Sequence, residues 1–152
     1  MIEYRMMAES DIEEMISLGQ QMHEESAFKP LHYSREKCRA LGLRYLSRPD
    51  THFSMCAEED GKIVGMIMGH LMPYYFGDDF MATDHLWFVS QEKRGSTVGV
   101  RLLKAFRKWA VNCGAHEICI GVSTGVETGR THELLTRIGF SHVGGTYKEM
   151  VQ

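Results

Sequence analysis

Apolar and polar positions along the chain repeat with two different periods, and the switches between them mark the elements. Residues Ile2 to Met7 read as a first strand. Behind Asp11, which can cap a helix, Ile12, Met15, Ile16, Gly19 and Met22 recur at helical spacing. A loop with His23, Glu24, Glu25 and Pro30 follows. Ser34 then opens a second helix, with Cys38, Leu41, Gly42 and Tyr45 on one face. Pro49 and Asp50 end it, because the residue before a proline is pushed out of the helical region.

From residue 53 the period shortens. Phe53 to Ala57 and Ile63 to Leu71 flank Asp60-Gly61, a pair suited to the positive-φ positions of a hairpin turn. A second turn, Tyr74 to Asp79, leads into a strand from Met81 to Val89. Helical spacing returns over Ser96 to Asn112, with Val98, Leu102, Leu103, Phe106 and Trp109 facing inward and Gly114 as the stop. His116 to Val122 reads as a strand and Thr128 to Ile138 as a helix stopped by Gly139. Phe140 to Val143 and Thr146 to Met150 suit a closing pair of strands. The expected order is βααβββαβαββ, an α/β class with no repeat or linker, and one domain over residues 1–152.

Composition narrows the classes. A chain of 152 residues buries about 68–70% of its unfolded surface when folded as one domain. Hydrophobic content of 43% and charged content of 24% are ordinary for a globular protein, and no apolar run approaches the ~20 residues of a membrane span. The acidic, amphipathic start fits neither a signal nor a transit peptide, which makes the cytoplasm the expected location. Cys38, Cys56, Cys113 and Cys119 are scattered, arguing against a zinc site, any other metal site or a disulfide framework. Net charge of −3 gives no global attraction to nucleic acid or to an anionic membrane.

The chemistry concentrates in Val89-Ser90-Gln91-Glu92-Lys93-Arg94-Gly95-Ser96-Thr97-Val98-Gly99, a basic, glycine-containing turn between a strand and a helix. Unpaired N–H groups at a helix start bind phosphate. Two familiar phosphate loops do not match. A P-loop needs a Gly-Lys pair, which is missing here, and a dinucleotide fingerprint needs G-x-G-x-x-G on an early strand. The segment resembles the acetyl-CoA motif of the GNAT superfamily, the Gcn5-related N-acetyltransferases, in which Val-x-Pro and x-x-Arg-Gly-x-Gly-x-Gly open a helix that continues with Leu-Leu, here Leu102-Leu103. Arg137-Ile138-Gly139-Phe140 is similar to the family's later Lys-x-Gly-Phe. Gln91 stands where the proline is usual, Glu92 where Gln or Arg is, and Thr97 where Gly or Ala is.

The resemblance implies a GNAT-like single domain, a mixed and mostly antiparallel sheet flanked by helices. It implies acetyl-CoA as cofactor and acyl transfer to the amine of a small molecule or protein. It places pantetheine and the thioester along Trp87, Phe88 and Val89, and the pyrophosphate on Lys93, Arg94, Gly95, Ser96, Thr97, Val98 and Gly99. Ser123, Thr124 and Thr128 fall on the opposite wall. A homodimer is compatible with this reading.

Transfer to an amine needs a base for the ammonium proton, a donor for the oxyanion and an acid for the thiolate. Family members often carry Glu or His four residues before the strand's closing valine, which implies His85 as base. An imidazole of ordinary pKa near ~6.5 suits that task, and a period of two puts His85, Trp87 and Val89 on one face. Asp84 is the reserve base. The family's tyrosine on the late helix is replaced by Leu135 and its asparagine by Thr128. The acid is therefore left among Ser123, Thr124, Thr128, His132, Tyr147 and solvent. Acceptor contacts are expected from His23, Glu24, Glu25, Tyr74, Tyr75, Asp78 and Asp79, carboxylates and aromatics that suit a cationic amine. The missing tyrosine and the altered Thr97 keep a second function open, a non-catalytic acyl-CoA-binding module.

Overall fold

The computed structural model describes residues 1–151. Five strands lie in chain order across one sheet: β1 (Ile2–Met6), β2 (His52–Glu59), β3 (Lys62–Pro73), β4 (Phe80–Val89) and β5 (Glu117–Cys119). The first four are antiparallel neighbours, and β5 joins β4 in parallel. Helices α1 (Ile12–Glu25) and α2 (Arg35–Ser47) pack on one face through Met15, Leu18 and Tyr45, against Cys56, Met66, Met68 and Phe88. Helices α3 (Val98–Asn112) and α4 (Thr128–Ile138) cover the other through Leu102, Leu103, Phe106, Ala110 and Leu135, against Phe53, Val64, Ile67 and Ala82. The α/β class and the order βααβββαβα are as the sequence predicts.

Local signals act largely where expected. Asp60 and Gly61 both take positive φ, 52° and 78°, which tightens the β2–β3 turn. Ser34 Oγ accepts the Lys37 N–H at 3.2 Å and caps α2. Asp11 does something else. Its carboxylate accepts two guanidinium bonds from Arg5, at 2.7 and 3.0 Å, and the Ala8 N–H at 2.7 Å. Arg5 also holds Glu58, so β1, β2 and the entry to α1 share one ion network, and the adjacent cation outcompetes a capping role. Residues His23 to Glu25, expected in a loop, complete α1.

The closing pair of strands does not form. Residues 140–151 make no ladder, and Val143, Tyr147 and Val151 are almost wholly exposed. The edge they would extend, β5, is three residues long rather than the predicted His116–Val122. A hairpin of about four residues a side is not stable without a sheet to join.

Two irregularities shape the middle of the sheet. Register shifts between Met68 and Gly69 where β3 meets β4, so Met68 pairs with Leu86, Gly69 pairs with Asp84, and His85 is left as the extra residue of a bulge. Gly69 lies under Phe106, which is fully buried. A Cβ there would stand 2.6 Å from Phe106 Cζ and 2.8 Å from the Thr83 carbonyl oxygen, so glycine lets α3 press onto the sheet beside the bulge. Gly69→Ala is expected to destabilise the fold by about 1–3 kcal/mol, since the carbonyl cannot swing aside. Gly77→Ala, with nothing within 4 Å, is expected to stay within about 0.5 kcal/mol. Urea melts of the two variants check this, and equal midpoints would show that the close approach does not matter.

Candidate active site

Parallel pairing of β4 with β5 lasts three residues, Met81 with Glu117 through Thr83 with Cys119. At the next position Asp84 Oδ1 accepts the Gly121 N–H at 2.8 Å, so a side chain takes the place of a main-chain acceptor and the two segments part. The departing segment is anchored elsewhere, because the Thr124 carbonyl accepts the Ala27 N–H at 2.7 Å, beyond the end of α1. Between them opens a cleft of about 620 Å³. Trp87, Phe88 and Val89 line one wall, and Gly121, Val122, Ser123 and Thr124 line the other. Asp84 and His85 close one end, and the turn after β4 closes the opposite end.

The bulge turns His85 over. The ring lines the cleft, but its Nδ1 lies 3.1 Å from the Tyr45 hydroxyl on the α1–α2 face, with Leu86. Trp87 faces α3 and donates its indole N–H to the Gly99 carbonyl at 3.1 Å. The expectation that His85, Trp87 and Val89 share one face is thus overturned, because the extra residue shifts the alternation by one. The Tyr45 hydroxyl also stands 3.1 Å from His70 Nδ1, and His52 stacks on His70 with 5.7 Å between ring centres. Burial pushes His85 below the ordinary imidazole value, with His70 and Arg44 adding to it. Burial pushes His70 down as well. His52 falls through burial first, then through His70, Arg48, Arg44 and His85. Burial lifts Asp84 to about 6, against the pull of the Gly121 N–H. The site therefore holds a neutral imidazole at neutral pH beside a carboxylate that titrates unusually high.

At the other end the chain makes a short turn at Gln91–Lys93, extends at Arg94, and reaches Gly95 at φ 84°. Lys93 pairs with Glu59. Arg94 grips Glu25 at the end of α1, donates to the Val89 carbonyl at 3.2 Å, and lies over the Phe88 ring at 5.2 Å. Both loop cations thus brace the loop while lining the cleft. The cation that faces the turn from across the cleft is Arg130 of α4, whose Nη2 is 2.7 Å from where a Cβ on Gly95 would stand. The first N–H of α3 to reach the Thr97 carbonyl is that of Arg101, at 3.0 Å, so the N–H groups of Gly99 and Val100 begin the helix without helical partners.

Of the predicted cofactor residues, Trp87, Phe88, Val89, Lys93, Arg94, Gly95, Ser96, Gly99, Ser123 and Thr124 line the cleft. Thr97 and Thr128 do not, and Val98 is fully buried in the α3 core because it starts that helix's apolar stripe. Tyr147 is 98% exposed on the unpaired C-terminal segment and does not line the cleft. Leu135 is buried in the core, so a phenol there is replaced by packing. None of the expected acceptor residues lines the cleft. Glu25 holds Arg94, Tyr74 holds Glu117, and Asp79 lies 3.3 Å from His116. Residues 74–79 begin about 20 Å along the strand from His85, at ~3.4 Å a residue. Met22 and Phe28 line the cleft instead, with Arg130, Glu133 and Arg137. Tyr45 and Arg130 were invisible to sequence reasoning, because each reaches the site from a helix whose pattern signals only packing or a charged surface.

A split parallel pair with a cationic helix-entry turn at one end and an imidazole at the other defines a cleft for an extended, phosphate-bearing ligand. The chain belongs to the acetyltransferase (GNAT) family, whose model matches residues 13–140. Among solved structures it is similar to the aminoglycoside acetyltransferase AAC(6')-Iy in complex with the bisubstrate analog CoA-S-monomethyl-acetylneamine, with TM-score 0.80, 19% identity, and 100% and 99% of the two chains covered. It is also similar to a predicted acetyltransferase with acetyl-CoA from Clostridium acetobutylicum, at TM-score 0.78, 16% identity, and 99% and 96% covered. Glucosamine-6-phosphate N-acetyltransferase from Arabidopsis thaliana gives 0.77, 17%, and 100% and 99%. No curated protein matches the chain.

The site predicts how stability depends on pH. His52, His70 and His85 all have lowered values in the fold. The unfolded chain therefore binds more protons as pH falls through ~6.5, and stability is lost in that direction. Asp84, lifted from 3.8 to about 6, acts oppositely across that window, because there the folded state holds the extra proton. Thermal melting between pH 8 and 5 is expected to show a falling midpoint, shallower in His70→Gln and steeper in Asp84→Asn. A midpoint that is flat in all three proteins would refute the assignment.

Proposed function

We propose that the protein is an acetyl-CoA-dependent N-acetyltransferase that transfers an acetyl group to a primary amine of a small molecule or protein. The observation that carries this reading is the cleft itself, which puts a donor-rich helix start at one end and a neutral imidazole at the other. The donor set fits the cofactor. N–H groups at the start of α3, with Arg130 facing Gly95, suit a pyrophosphate, and the parted wall of Trp87 to Val89 suits an extended pantetheine arm. When bound, acetyl-CoA supplies the activated acetyl group.

The chain's own groups then divide the work. Arg94 and Lys93, fixed by Glu25 and Glu59, hold the turn in shape rather than moving to a ligand. His85 takes the ammonium proton of the acceptor, either directly or through a water. Asp84 holds the wall apart through Gly121 and stands as the reserve base. Ser123 and Thr124 offer hydroxyls on the far wall. Neighbours that act on aminoglycosides or glucosamine-6-phosphate support an amine acceptor in general terms.

A second reading, a non-catalytic acyl-CoA-binding module, draws on one observation, the burial of Leu135 where family members carry a phenol. Thiol release from acetyl-CoA across an amine panel separates the two readings, since binding without release with any amine favours the module. His85→Gln is expected to lower kcat/KM by about 10²–10⁴-fold while acetyl-CoA affinity persists. Arg130→Ala is expected to weaken acetyl-CoA binding about 10–100-fold by calorimetry, as loss of a charge-assisted bond does. Wild-type affinity in that variant would remove Arg130 from the pyrophosphate site.

A further inference from the structure

Behind His85 the molecule holds a chain of polar rings that the proposed chemistry has not used. Tyr45 comes from α2, His52 from β2, His70 from β3 and His85 from β4. His52 and His70 are cross-strand partners. Tyr45 is 2% exposed, and its hydroxyl meets the Nδ1 atoms of both His70 and His85 at 3.1 Å. His52 packs edge-on against the phenol at 4.7 Å, and its own Nδ1 is 2.8 Å from Thr51 Oγ1, which is exposed. Two of the three imidazoles, His70 and His85, thus converge on one hydroxyl.

One hydroxyl between two ring nitrogens imposes a rule. It carries one proton, so it donates to one Nδ1 and accepts from the other. The two imidazoles must therefore hold opposite Nδ1 states. If Tyr45 donates to His70, then His85 carries Nδ1–H, and its Nε2, on the edge turned away from Tyr45, holds a free lone pair toward the cleft. If Tyr45 donates to His85, then Nε2 carries the proton instead.

We infer that Tyr45 is a positioning residue that sets His85 as a base and, with His70, forms a relay carrying the proton away from the cleft. This rests on the proposal that His85 is the base. The steps balance. His85 Nε2 takes a proton from the acceptor ammonium, its Nδ1 proton passes to the Tyr45 oxygen, the Tyr45 proton passes to His70 Nδ1, and His70 Nε2 releases one to solvent beside β2. His85 is then neutral with a proton on Nε2. It returns to its first state by giving that proton into the cleft while one re-enters at His70 and the bonds reverse. The same ring thus both accepts and returns a proton, which supplies the acid that Leu135 cannot.

The surroundings suit conduction. Burial, with Asp84 adding to it and Arg44 opposing, lifts the phenol well above its ordinary value, so Tyr45 passes protons without resting as a phenolate. The charged groups facing the network are Asp84 from β4 and Arg44 and Arg48 around the end of α2, and the cations disfavour storage of charge on the rings.

The test uses the whole protein and two variants. In Tyr45→Phe, which keeps the ring packing, kcat is expected to fall about tenfold or more, short of losing the base altogether, with acetyl-CoA affinity unchanged. The acidic limb of the pH–kcat profile is expected to move to lower pH, because protonated His85 loses the oxygen that receives its Nδ1–H. Nitrogen-15 shifts of His85 are expected to report Nδ1–H in the wild type and a change toward Nε2–H in the variant, a readout independent of turnover. In His70→Gln the amide oxygen still accepts from Tyr45 but carries no proton, so the His85 tautomer is expected to hold while the solvent proton inventory on kcat changes from curved to linear. An unchanged His85 tautomer in Tyr45→Phe overturns the positioning role, and a linear wild-type inventory overturns the relay. If His85→Gln leaves the rate intact, the base reading fails by itself, while the tautomer result still decides what Tyr45 does to His85.

Discussion

The structure depends on the point where β4 and β5 stop being partners. Parallel strands normally continue their ladder, since unpaired main-chain groups are costly to bury. Here Asp84 relieves that cost by offering its carboxylate to the Gly121 N–H, and Thr124 is drawn off to Ala27. A single side-chain acceptor thus satisfies the Gly121 N–H where the ladder stops, and the opening beyond it is the cleft. The same carboxylate is half-buried and titrates near 6, so the group that holds the split also carries a sensitivity to pH.

One residue further along, the bulge decides which way His85 faces. An extra residue in β4 turns His85 toward α2, where Tyr45 waits, and keeps Trp87 against α3. Bulges near functional sites commonly re-aim a side chain in this way. Gly69 on β3 leaves room for Phe106 beside the shift, so the packing of α3 and the orientation of His85 share a cause. At the far end, carboxylates from α1 and β2 hold Arg94 and Lys93, which ties the loop to the α1 layer and to the sheet.

Much of this was legible in the linear chain. Helical and strand periods, the Asp60-Gly61 turn, the Ser34 cap and the strand–turn–helix around Gly95 are local, and local sterics and hydrogen bonding decide them. So the α/β class, the order through α4 and the cleft-lining position of Trp87 to Val89, Gly95, Ser96 and Gly99 could be read in advance. The motif match extended that reading to Ser123 and Thr124, and it identified Leu135 as unable to serve as an acid.

What the sequence could not determine depended on partners distant in the chain. Asp11 looks like a cap until Arg5 and Glu58 compete for it. Phe140 to Met150 looks like a hairpin until β5 proves too short to receive it. Strict alternation put His85 beside Trp87, and only the register between β3 and β4 reveals the extra residue that separates them. Tyr45 carried no chemical signal, because a tyrosine on an apolar helical face reads as core. Its hydroxyl acquires meaning only when β3 and β4 bring His70 and His85 to within hydrogen-bond reach. Periodicity is set by each residue's own backbone and reads directly, whereas register, ion pairing and tautomer are set by which segments meet, and folding alone decides that.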